Sequence, residues 1–243
     1  MKRGVLFGVF CLIVLFGLVS AEGGFVESVV MKVSVREGES VGRELKVISD
    51  SNGEYDLFVV GGSGVSVGES GLILEAGRER ATEAVFDSRD LLPGVSVGSF
   101  VLEGQGESHV LPIIFEVESE DVFYDVSLDV PASSGVVGAG ESFEFGVSVF
   151  DLLDVGESVD VGLVYEIFSL GGEGVFREEE EVGISGQSAF SKEIVMPRGL
   201  EDGQYVLTTR IDYGSSTGVS SYLISVGERE GEGWFGKYRL IIV

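Results

Sequence analysis

From residue 25 onward the chain alternates apolar and polar side chains with a period of two. Val29, Met31, Val33 and Val35 fall on one side, with Lys32, Ser34 and Arg36 on the other. Val122, Tyr124, Val126, Leu128 and Val130 repeat the pattern, as do Phe143, Phe145, Val147 and Val149. So do Val159, Val161, Leu163, Tyr165 and Ile167, and then Tyr205, Leu207, Thr209, Ile211 and Tyr213. Successive side chains of an extended strand point to opposite faces, so this period sorts apolar residues onto one side of a sheet. Clusters of Gly, Ser, Asp and Glu interrupt the runs about every eight to twelve residues, the strand spacing of sandwiches. No stretch beyond the N-terminal leader sustains a helical period. The expectation is an all-β chain.

About seven strand candidates lie in residues 22–118 and about seven more in 121–226, each the size of an immunoglobulin-like β-sandwich. The acidic stretch holding Glu116, Glu118, Glu120 and Asp121 is the joint, too short to act as a flexible linker. The halves echo each other. Leu92-Pro93-Gly94 leads into one hairpin, with Gly104-Gln105-Gly106 at its turn, and Asp202-Gly203 leads into another, with Gly214-Ser215-Ser216. Tyr205 stands where a tyrosine corner would pin the second of these, and Ser96 takes its place in the first. Pro112 cannot donate to a ladder, which suggests an edge position.

Residues 143–226 resemble the CARDB-type and related immunoglobulin-like adhesion modules of archaeal cell-envelope proteins. The resemblance rests on the loop Asp151-Leu152-Leu153-Asp154-Val155-Gly156, on Tyr165-Glu166-Ile167, and on Gly203-Gln204-Tyr205-Val206-Leu207 with Ser220-Ser221 after it. The first half, with Gly98-Ser99-Phe100-Val101 and Leu111-Pro112-Ile113, resembles the immunoglobulin-like domains that often precede such modules. The resemblance implies a surface or adhesion module with no catalytic residue to carry over.

Residues 1–21 read as a secretory signal peptide. Lys2 and Arg3 precede an apolar run over residues 5–19, and Ala21 offers a small residue before a cut at Glu22. Lys2-Arg3-Gly4 also resembles the processing site of archaeal pilin-like leaders, which keeps a pilus-like subunit with a retained helix as an alternative. Cys11 leaves with the leader, so no disulfide is expected. At the other end, residues 227–243 read as a spacer, Gly- and Glu-rich over residues 227–236, followed by either the start of an anchor or a short sticky strand. There Trp234-Phe235 and Lys237-Tyr238-Arg239 precede Leu240-Ile241-Ile242-Val243, as at the start of a membrane anchor.

The formal charge is −25, and removing Lys2 and Arg3 makes it −27. That balance excludes nucleic acid and anionic lipid surfaces as partners. Three Gly-x-Ser-x-Gly matches surround Ser66, Ser96 and Ser216, but none precedes a helical pattern and His109 is the single histidine. The Gly-x-Gly-x-x-Gly at residues 231–236 opens no helix either. His109 alone cannot build a zinc site and is expected to be solvated. The run Glu178, Glu179, Glu180 and Glu181 reads as a solvated edge strand. Candidate calcium ligands are Asp151, Asp154 and Glu157 in one loop, and Glu118, Glu120 and Asp121 at the joint, because calcium takes six to eight oxygens. No other cofactor is expected.

The sequence therefore points to a non-enzymatic, extracytoplasmic surface protein, an adhesion or stalk module touching other envelope proteins or glycans. The membrane would hold it through the leader or a C-terminal anchor. A secreted carbohydrate-active accessory domain is a further alternative, for which Trp234 is the only tryptophan available.

Overall fold

The computed structural model describes residues 23–26, 29–131, 136–153 and 158–227. Among them the chain is all-β. The leader and the residues after 227, with the glycine motif and Trp234, lie outside the described residues.

The first nine strands are β1 (Gly24–Phe25), β2 (Met31–Arg36), β3 (Ser40–Ile48), β4 (Gly53–Gly61), β5 (Val65–Val67), β6 (Gly71–Leu74), β7 (Arg80–Asp87), β8 (Gly94–Gly104) and β9 (Glu107–Glu118). They form two sheets, ordered β1-β3-β7-β5 and β2-β9-β8-β4-β6. Leu45, Val47 and Phe86 from one sheet and Leu57, Phe100 and Phe115 from the other close a core between them. Phe86 meets Phe100 and Phe115 edge-on, at centroid distances of 6.4 and 5.3 Å, the geometry ring quadrupoles favour.

The second unit holds β10 (Tyr124–Asp129), β11 (Val136–Val137), β12 (Ser142–Asp151), β13 (Val159–Ser169), β14 (Gly174–Ile184), β15 (Gln187–Val195), β16 (Gly203–Tyr213) and β17 (Ser216–Val226). Its sheets run β10-β12-β15 and β11-β17-β16-β13-β14. Phe143, Phe145 and Ile194 face Leu163, Tyr165, Leu207 and Ile224 across a second core. In both units an early strand runs parallel to the last one. Met31 through Arg36 lie opposite Ile113 through Glu118, and Val136 and Val137 lie opposite Ser225 and Val226.

Strands β1, β5 and β11 are two or three residues long, too short for alternation to reveal, so the units hold more strands than the sequence indicates. The β8–β9 turn places Gln105 at φ 52 and Gly106 at φ 85, a left-handed pair that matches strand twist. The tyrosine corner is present. Tyr205 Oη donates to the Glu201 carbonyl at 3.1 Å and ties the start of β16 to the preceding turn. Tyr205→Phe should cost about 1 kcal/mol in urea denaturation, the net value of such a bond; an unchanged midpoint would show the corner to be idle.

Pro112 is not on an edge strand, because β9 lies between β2 and β8. The sheet tolerates it because the β2 ladder begins one residue later, at Ile113. Pro112 thus needs no donor on that side.

Candidate functional site

Strand β9 departs from one-sided alternation: every residue from Leu111 to Val117 is buried. Its second face is covered by the other sandwich. The outward sides of the two middle sheets pack on each other, with Val97 and Ile114 against Val206, and Val95, Phe168, Leu170 and Leu223 around them. The backbones also approach closely. A Cβ on Gly61 would lie 2.5 Å from the Gly171 carbonyl oxygen, and one on Gly172 would lie 2.7 Å from that of Val97. Ser99 Oγ donates to the Leu170 carbonyl at 3.1 Å. At the other end of the contact, the Ser119 amide donates to the Thr217 carbonyl at 3.1 Å, and the Thr217 amide donates to Ser119 Oγ at 2.8 Å.

Glu116 sits in the middle of this contact and is only 4% exposed. It belongs to the acidic stretch expected as the joint between the sandwiches, and its place in β9 turns it toward the second one. Its carboxylate is fully engaged. Lys32 Nζ lies 2.7 Å from Oε1, Ser221 Oγ donates to Oε1 at 2.6 Å, and Ser34 Oγ donates to Oε2. Lys32 Nζ also donates to the Ser221 carbonyl at 3.0 Å. One ion pair of the first sandwich therefore holds both the hydroxyl and the carbonyl of one residue of the second. A buried carboxylate is tolerable only when paired and hydrogen-bonded in this way.

The connection between β9 and β10 runs through residues 119–123, beside a recess of about 470 Å³. Glu118, Glu120, Asp121 and Asp125 line it with Arg36, and Leu152 and Leu153 form its apolar rim. The fold thus brings the joint acids next to the loop that follows Asp151, since the Leu152 amide donates to the Phe123 carbonyl at 3.0 Å. Burial, with the charges of Asp125 and Glu116, pushes the Glu118 carboxyl above its ordinary value, and Arg36 offsets only part of this. Asp151 Oδ1 accepts the Leu153 amide at 2.8 Å, while Asp154 and Glu157 lie outside the described residues. Among the described residues no three His, Cys, Asp or Glu side chains converge to hold a metal ion.

Ser66 and Ser96 lie within β5 and β8, and Ser216 opens β17, where its Oγ accepts the Phe123 amide at 2.8 Å. None stands on a strand-to-helix elbow. His109 is not the solvated residue expected. It is half-buried on β9 and lies against Gly24, whose missing side chain leaves the ring room.

The glutamate run lies on β14, which is an edge strand as expected. Two of its members turn inward across the open side of the sandwich. Lys192 of β15, whose side chain is 11% exposed, lies 2.8 Å from Glu178 and 2.9 Å from Glu180. Its ammonium stands 4.7 Å from the Tyr165 ring centroid, and Tyr165 Oη donates to Glu180 at 2.7 Å. Inward charge is one of the ways an edge is kept from pairing with a further strand. No spacing rule pointed to Lys192, because its glutamate partners are twelve and fourteen residues away on another sheet.

No protein-family model matches this sequence, and no curated protein matches it. Solved structures are similar at low identity. A CARDB domain from Pyrococcus furiosus in complex with di-metal ions is 17% identical over 42% of this chain and 91% of that one, with a TM-score of 0.29. A protein of unknown function from Porphyromonas gingivalis is 12% identical over 84% and 94%, with a TM-score of 0.41. The titin domains z1z2 in complex with telethonin are 12% identical over 83% and 93%, with a TM-score of 0.31.

Proposed function

We propose that the chain is a non-enzymatic, extracytoplasmic surface module made of two immunoglobulin-like sandwiches, which binds other envelope proteins or glycans. The joint carries this reading. An ion pair on a buried carboxylate, an apolar patch and bare glycine contacts hold the sandwiches alongside each other, so their loops present one fixed surface. Side-by-side packing suits an adhesion head better than a stalk, whose units would follow end to end. The acidic coat keeps the remaining surface solvated.

Export is tested by mapping the N-terminus of protein recovered from its native envelope. A start at Glu22 is the expected result. An intact Met1 in the cytosolic fraction would overturn the reading, and a start near Val5 would replace it with a pilus-like subunit.

A further inference from the structure

Beside the Gly61–Gly171 contact lies a cleft of about 380 Å³ between the sandwiches. One wall comes from the first unit, including Gly61 and Gly62, and the other is the outward face of β13 and β16. Glu166, Phe168 and Arg210 line this second wall. They share a face because the odd-numbered residues Leu163, Tyr165, Ile167, Leu207 and Ile211 point into the core. Arg210 lies opposite Val164 and Glu166 opposite Thr208, so guanidinium and carboxylate are diagonal neighbours.

Both polar groups are held from one side. Arg210 Nε donates to Asp212 Oδ2 at 2.9 Å, and Asp212 Oδ1 accepts from Thr217 Oγ1 at 2.8 Å. Among the described residues, the two Nη groups of Arg210 have no partner. Glu166 receives Arg177 on Oε1, and its Oε2 likewise has no partner among them. An oriented donor fork therefore stands beside a free acceptor, with the Phe168 ring next along the strand.

A hydroxyl is both donor and acceptor, so two adjacent hydroxyls satisfy such a pair without any net charge. The apolar face of a pyranose ring complements an aromatic ring, and glycine backbone lets a ring approach closely. The cleft volume is within the range of small-molecule sites. Glu166 inside the cleft and a chain charge of −25 both work against an anionic ligand. We infer that this cleft binds a neutral pyranose unit of a glycan, with Arg210 and Glu166 on adjacent hydroxyls and Phe168 against the ring. The inference rests on the surface-module reading and specifies the glycan arm of its partners.

The test is an amide-resolved NMR titration of the full chain with the methyl pyranosides of glucose, galactose and mannose, and separately with glucuronate. Saturable shifts at Gly61, Gly62, Gly171 and Gly172 are expected with at least one neutral sugar, at a Kd on the order of 1 mM. Arg210→Gln and Glu166→Gln should each weaken that Kd about tenfold, whereas Asp56→Asn, on the exposed face of β4, should leave it unchanged. Unfolding midpoints of the two cleft variants, compared with wild type, separate lost binding from lost folding. No saturable shift at these glycines, binding of glucuronate alone, or a Kd indifferent to both cleft substitutions would overturn the inference. Export is read independently by the N-terminal mapping, so failure in the cleft leaves the surface-module reading standing.

Discussion

Glu116→Ala should lower the stability of the chain by about 2–3 kcal/mol, because it leaves the buried Ser221 hydroxyl without its charged acceptor while Lys32, 39% exposed, stays partly solvated. The substitution leaves the half-exposed Lys32 with only the Ser221 carbonyl, and it removes the acceptor of both the Ser34 and Ser221 hydroxyls. Because those partners come from both sandwiches, the loss should also loosen their relative placement. Urea denaturation reads the first effect, and a larger radius of gyration in small-angle scattering reads the second. A double replacement, Lys32→Met with Glu116→Leu, should recover much of the stability, since well-packed apolar groups often match a buried pair. If Glu116→Ala denatures within about 0.5 kcal/mol of wild type and scatters identically, the ion pair does not hold the joint.

Lys192→Ala should cost about 2 kcal/mol, less than a fully buried pair because its glutamate partners are partly solvated. It leaves Glu178 and Glu180 facing each other without a cation, and it strips the Tyr165 ring of its ammonium. The same cluster sets a pH dependence. Burial raises the Glu180 carboxyl, but hydrogen bonds from Tyr165 and Lys192, with the lysine charge, hold it below its ordinary value overall. Its stabilisation is present above the ordinary glutamate range and lost as pH falls through the depressed folded value. Burial lowers the Lys192 ammonium, but its bonds to Glu178 and Glu180 raise it overall. That contribution is complete below the ordinary lysine value and lost as pH rises through the folded one. Lys192→Ala should therefore flatten both limbs of a stability–pH curve. Limbs that stay as steep as in wild type would assign the pH dependence to other groups.

The fold class and most long strands were legible because alternation marks a sheet with one wet face. Tyr205 was legible for a similar reason, since a corner needs only a turn and a tyrosine at fixed spacing. The burial of Glu116 was not legible, because nothing local in an acidic run announces that another surface covers one of its members. The nearest hint was the run Leu111-Pro112-Ile113-Ile114-Phe115, which is apolar on both faces. The same limit applies to the cleft. Glu166, Phe168 and Arg210 are ordinary outward residues until the first sandwich supplies an opposite wall.

The parallel pairing of early and last strands has a mechanical consequence. The chain enters β2 at Met31 and leaves β9 at Glu118, at opposite ends of one ladder. Tension between those points loads all six residue pairs of β2 and β9 together, in shear, instead of unzipping them one after another. Among the described residues the corresponding ladder in the second sandwich has two pairs, from Val136 and Val137 to Ser225 and Val226. A pull along the chain should therefore meet its stiffest resistance in the first sandwich, where the β2–β9 ladder shears as one block.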